Sequence, residues 1–284
     1  MIKKVLTILV VLIIFALNTG IAKADDSVDI SKINWIEGPK TVDVGNDLAE
    51  LNLPDKYIFA DGKDAKNIMK RMDNSVSGRE QGIVFAKDTN EDWFVLFEFN
   101  NMGYVEDKDA NKIDSDKLLS QIKEATEEDN KERRKNGSAT LEIVGWDEKP
   151  HYDQNTHNLT WSVLCSSEDR KIVNYNVRVL GRGGVTEVTL VADKEEIENV
   201  KSDLATIISK YSYKEGKRYT DYIKGDKVAK VGGLAALIAG GSAAAKAGLF
   251  AKILLIFKKI WILIAVGIGG LFKKIKNIFK KKND

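Results

Sequence analysis

The stretch KPHYDQNTHNLTWSVLC, residues 149–165, holds both histidines of the chain and its only cysteine. His151 and His157 flank Asp153, and Asp147 and Glu148 stand just before them. Such side chains could hold zinc, which takes three or four ligands from His, Cys and carboxylate. The spacing H-x5-H matches no common ligand pattern, however, and the intervening Pro, Asp and Asn are turn formers. We therefore expect a hairpin tip over DEKPHYDQNTHN in which His157 and Tyr152 fix the turn through hydrogen bonds. A metal site on His151, Asp153 and His157 is the alternative. Cys165 ends an alternating run as a buried, inert thiol. To act as a nucleophile it would need a basic neighbour that lowers its pKa.

A second group with chemistry is Asn174, Asn176 and Arg178, which share one face of the alternating run NYNVRVL. With Arg182 in the turn behind them, they could bind an anionic or sugar ligand. A solvated sheet face, or one covered by a helix, would account for the same pattern. Gly181-Arg182-Gly183-Gly184 is read as a hairpin turn. A phosphate loop would end in Lys-Ser/Thr and open a helix, whereas a strand pattern follows here. No carboxylate pair is singled out by spacing as a general acid and base, and no pattern calls for a cofactor.

These residues need a frame. TVDVGNDLAELNLP alternates around Gly45-Asn46 as a hairpin, and KDAKNIMKRM puts Ala65, Ile68, Met69 and Met72 at helical spacing. SGREQGIVFA and DWFVLFEF read as strands, the second central because it is apolar on both faces around Phe94–Phe97. SDKLLSQIKEATEEDNKERRKNG is an amphipathic helix with Leu118, Leu119, Ile122 and Ala125 inward and a stop at Asn136-Gly137. Strands LEIVGW, LTWSVLC, KIVNYNVRVL and VTEVTLVA follow. A last helix is expected from a capping pair, Asp193 and Glu196, with Ile197, Val200, Leu204, Ile207, Ile208 and Tyr211 as its stripe. Groups of strands separated by helices argue for one α+β domain on an antiparallel sheet flanked by helices.

The net charge of +2 hides three unlike pieces. Residues 25–224 hold 29 of the 44 basic and 40 of the 42 acidic side chains, a net of −11. So acidic a domain does not suit nucleic acid, which needs clustered Lys and Arg. Residues 1–24 read as a signal peptide: MIKK, an apolar run of thirteen, and Ala22-Lys23-Ala24 as a cleavage pattern before Asp25. A single cysteine permits no internal disulfide, and none follows the cleavage site to carry lipid.

The other end, residues 225–284, reads as a membrane anchor. Two apolar blocks, Val231–Phe257 and Ile260–Phe272, are split by Lys258 and Lys259 and followed by a basic tail. We expect one span within 231–257, the second block in the inner leaflet, and the tail on the cytoplasmic side. YKEGKRYTDYIKGDK would be the hinge to the membrane. Gly232, Ala236, Gly240 and Ala244 recur every four residues, a small-residue face through which membrane helices can pair, so the chain could form a homo-oligomer there.

GPKTVDVGNDLAELNLPDKYIF, DWFVLFEFNNMGYVEDKDANKIDSDKLLSQIKEATEEDNKERRKNG, VGWDEKPHYDQNTHNLTWSV and NYNVRVLGRGGV occur in that order before the Gly/Ala and Lys-rich tail. Over nearly all of residues 36–275 this resembles a bacterial membrane-anchored family catalogued as Domain of Unknown Function 2167. The resemblance implies export and anchoring and brings no catalytic residue. LNLPDKYIF and the closing YSYKEGKRY are also similar to the layout of small α/β sandwiches of the Mog1/PsbP type, a likeness that assigns no function. The reading that follows is a non-enzymatic binding or interaction module of the cell envelope, outside the cytoplasm and held in the lipid bilayer, with an envelope protein as a candidate partner. Its rivals are a metal-dependent hydrolase on the His151/Asp153/His157 hairpin and a membrane-assembly component that works through the small-residue helix.

Overall fold

The computed structural model describes residues 32–239 apart from 73, 75, 89, 136, 138, 169, 231 and 232. The signal peptide, the cleavage point, the two apolar blocks beyond Ala239 and the basic tail lie outside the described residues. So do Gly232, Gly240 and Ala244 of the small-residue face. Among the described residues, no helix is long and apolar enough to cross a membrane.

The strands β1 (Ile36–Glu37), β4 (Tyr57–Asp61), β5 (Glu80–Ala86), β6 (Phe94–Asn100), β10 (Val185–Asp193), β9 (Arg170–Leu180), β8 (Asn158–Ser167) and β7 (Glu142–Asp153) lie in that order in one sheet. Every pairing in it is antiparallel. A smaller sheet holds β11 (Tyr211–Tyr213), β3 (Ala49–Leu53) and β2 (Lys40–Val44). With α3 (Ile197–Ser209) it closes one face of the large sheet. The other face carries α1 (Gly62–Arg71) over β4 and β5 and α2 (Ser115–Lys135) over β7, with α4 (Leu234–Ala239) against α2.

Local chemistry explains most of these elements. Asp61 accepts the Asp64 amide at 3.0 Å and so caps α1, which buries Ala65, Ile68 and Met69. The expected Asp193/Glu196 capping pair does not form: Asp193 is the last residue of β10 and grips Arg170, and Glu196 makes no side-chain cap. Strand β7 also runs further than expected, through Pro150 to Asp153, leaving only residues 154–157 as the turn. Proline is tolerated there because β7 is an edge strand whose register to β8 shifts three times along its length.

The segment expected as a hinge is tied down. Arg182, in the β9–β10 turn, grips Asp226 with Nε at 2.7 Å and Nη2 at 2.9 Å. Tyr104 exchanges backbone hydrogen bonds of 2.8 Å with Lys227 and Ala229, and Gly103, at φ +103°, lies so close to the Lys227 carbonyl that a Cβ there would stand 2.7 Å from it. Asp109 then accepts the Leu234 amide at 3.0 Å, and Leu234, Leu237 and Ile238 are buried in the core beside α2. Packed chain thus continues beyond 224 and takes the first residues of the expected 231–257 span into the domain, with Ala236 half-buried.

Candidate functional site

The hairpin tip brings its residues together for turn-making. Asp153 accepts from the Asn155 amide and the Thr156 hydroxyl, both at 2.9 Å. His157 sits at φ +54° with Nδ1 3.2 Å from the Tyr152 hydroxyl, which also donates to Asp107 at 3.0 Å. Its ring lies 4.3 Å from that of Tyr219, itself stacked on Tyr104 at 4.5 Å. His151 stands apart, exposed, with Glu148 at 3.3 Å. No group of three His, Cys, Asp or Glu that could hold a metal occurs among the described residues. Cys165 is buried, and burial pushes its thiol up to about 12, far from a reactive thiolate.

The residues Asn174, Asn176 and Arg178 lie elsewhere, on the sheet face turned towards α1 and α2, and none of them is solvated. Cross-strand partners share a face, so register builds ranks here. Leu159, Arg178, Glu187, Glu98 and Glu80 follow one another across β8, β9, β10, β6 and β5. Trp161, Asn176, Thr189 and Leu96 form the next rank, and Val163, Asn174, Val191 and Phe94 the one after. A polar strip therefore runs through the middle of an otherwise apolar face.

Its charges are not evenly satisfied. Arg79 reaches Glu187 with both terminal nitrogens, at 3.1 and 3.4 Å, and Asn100 donates to the same carboxylate at 3.0 Å. Burial alone would raise the Glu187 carboxyl, but Arg178, Arg79 and the Asn100 amide hold it below the ordinary range. Ser77 bridges Glu80 and Glu98 through its hydroxyl, with its amide on Glu80 at 2.6 Å. Arg178 is different. It is 3% exposed, its guanidinium lies 4.7 Å from the Trp161 ring centre, and its hydrogen bond to a protein acceptor is a 3.5 Å contact with the Val177 carbonyl. Among the described residues no carboxylate forms an ion pair with it. Burial draws this guanidinium below its usual value, against the pull of Glu187 and Glu98. The Trp161 indole N–H, fully buried, has no hydrogen-bond partner among the described residues.

Arg182 does not join this strip, being committed to Asp226. Sequence reasoning missed Arg79, Glu98, Glu187 and Trp161. A signal existed for two of them: Glu98 in FVLFEFN and Glu187 in VTEVTLV are single charges inside runs read as strands, the first of them as central. A groove of about 460 Å³ between α2 and the β7–β8 edge, lined by Lys123, Asn130, Arg134 and Glu142 among others, is a separate and open feature.

With this geometry in place, comparison with known proteins gives a family. The profile of the family described as "Protein of unknown function (DUF2167)" matches residues 36–269, and the chain belongs to it. No curated protein matches the chain. Among solved structures it is similar to the cyanobacterial PsbP (CyanoP) of Synechocystis sp. PCC 6803, with 12% identity, 69% of this chain and 100% of that one covered, and a TM-score of 0.39. It is also similar to the Ran-binding protein Mog1p of Saccharomyces cerevisiae, with 12% identity, 64% and 96% covered, and a TM-score of 0.33.

Proposed function

We propose that this member of the DUF2167 family is a binding domain held outside the cytoplasm on a membrane surface, with the strapped end of its sheet turned to the lipid. The observation that supports the reading is the strap that leads from the sheet to α4. Residues 223–230 are pinned by Arg182 and Tyr104, and they present the apolar side chains Ile223 and Val228 to solvent, 59% and 40% exposed. Exposed Lys224, Lys227 and Lys230 stand among them. Apolar side chains interleaved with lysines suit the headgroup region of a bilayer, where the first enter the acyl boundary and the second meet anionic lipid. The apolar, Lys-punctuated sequence beyond Ala239 follows this strap after the short buried helix α4, and the N-terminal leader pattern supports export.

Alkaline carbonate extraction of membranes holding the full chain tests the anchor: the protein is expected in the pellet, and release into the wash would refute anchoring. Orientation is tested with an environment-sensitive dye on Ile223→Cys or Lys171→Cys in lipid vesicles, the native Cys165 being buried. Blue-shifted emission is expected at 223 and not at 171. Equal emission at both positions would refute the proposed seating.

A further inference from the structure

The arginines of this domain provide their own standard. Arg79 and Arg182 each fork onto a carboxylate, of Glu187 and Asp226, and Arg170 sets its Nη2 against both oxygens of Asp193. Arg178 is more buried than any of these, and among the described residues it pairs with no carboxylate. Its cross-strand neighbour Glu187 already receives Arg79 and Asn100. A buried charge is ordinarily paired and hydrogen-bonded, because water no longer solvates it. With the guanidinium carbon 4.7 Å from the centre of the Trp161 ring, the attraction of the indole for a cation holds the group in place. Its edge remains the part that donates. The indole N–H of the same Trp161, without a hydrogen-bond partner among the described residues, is a second donor beside it.

We propose that Arg178 and the Trp161 indole N–H together receive the carboxylate of a small monoanionic ligand at the sheet face of β8, β9 and β10. A planar carboxylate matches the guanidinium fork. Charge selects it over phosphate. Arg79 and Arg178 stand beside Glu80, Glu98 and Glu187, so the strip is already net negative, and a dianion buried there would meet far more repulsion than a single charge. Asn176 and Thr189 lie beside Trp161 in the next rank. This inference rests on the reading of the chain as a binding domain and is independent of its seat on a membrane.

The test uses the full chain in detergent micelles with ¹⁵N-labelled tryptophan. Sodium acetate is titrated against sodium chloride at constant ionic strength. Of the five indole signals, the one absent from Trp161→Phe is expected to move downfield and saturate, while the others stay in place. Arg178→Met, which keeps the length of the stem, is expected to weaken the response at least tenfold, as loss of a charged hydrogen bond does. If that variant does not fold, Arg178→Lys carries the test: a point charge without the fork is expected to bind roughly tenfold more weakly. Inorganic phosphate is expected to give no saturable shift. An immobile Trp161 signal, an equal response in the Arg178 variant that folds, or phosphate acting as well as acetate would each overturn the proposal. Carbonate extraction is read separately, so failure of the anchor and failure of the ligand site are told apart.

Discussion

Strands β9 and β10 show two different faces to the protein. On one, Val173, Val177, Val188, Leu190 and Ala192 meet α3 and the small sheet in a closed apolar layer. Its polar atoms are answered: the Thr186 hydroxyl lies 2.7 Å from those of both Tyr211 and Tyr213, and Tyr213 donates to the Val179 carbonyl at 3.0 Å. On the other, the same strands carry Asn174, Asn176, Arg178, Glu187 and Thr189, with an indole N–H and a guanidinium incompletely satisfied. Burying charge is a poor way to stabilise a sheet, because desolvation offsets most of the Coulomb attraction. The first face is what holding the fold together requires. The second holds an indole N–H without a partner and a guanidinium without an ion pair among the described residues, the donors a ligand would meet.

The contrast can be broken on the apolar side first. Phe97→Ala, at a fully buried ring stacked on Tyr211, is expected to cost about 3–5 kcal/mol in denaturant unfolding. Loss of less than about 1 kcal/mol would mean that this layer is not the stabilising one. On the polar side, Glu187→Gln removes the carboxylate that faces two guanidiniums and is expected to cost about 2–3 kcal/mol. A change near zero would show that the charges of the strip act independently.

A finer comparison sets Glu187 beside Asp92. Both carboxylates are desolvated, yet Glu187 is held low by two guanidiniums, whereas burial raises Asp92 to about 6. Arg170 lowers it only in part, because the Nη2 of that guanidinium is held by Asp193, whose own charge pushes Asp92 up. A carboxyl whose folded pKa is raised favours the folded state while protonated, and its contribution is lost as pH rises from the unfolded value of 3.8 through about 6. Asp92→Asn is therefore expected to stabilise the protein at pH 7 by about 1–2 kcal/mol, allowing for partial exposure. The gain should vanish below about pH 4 in melts run across pH. A gain that does not depend on pH would assign the effect to packing instead.

Much of the frame was legible along the chain. The hairpin around Gly45, the helix with Ile68 and Met69 inward, the long helix 115–135 and the central place of FVLFEF all follow from period and turn chemistry, and the structure has each of them. Misreadings came where a local signal had a tertiary competitor. Pro150 reads as turn, but an edge strand with shifted register accommodates it. Asp193 reads as a helix cap, but Arg170 claims its carboxylate. KEGKRYTDYIKGDK reads as a hinge because it is polar and Gly-containing, yet Asp226 and Val228 are held by partners far earlier in the chain.

The candidate site shows where that limit lies. Alternation in NYNVRVL was enough to place Asn174, Asn176 and Arg178 on one face, since successive side chains of a strand point to opposite sides. Which acids would stand beside them was not fixed by any local pattern. Arg79 and Glu187 are 108 residues apart, and β6 pairs with β10 across a helix and three strands. Sequence by itself determined the elements and the inward side of each, because both depend on contacts within a few residues. Only the tertiary structure decided that Arg178 would lie over Trp161 while its nearest carboxylate answered Arg79, because cross-strand register is set by packing of the whole sheet.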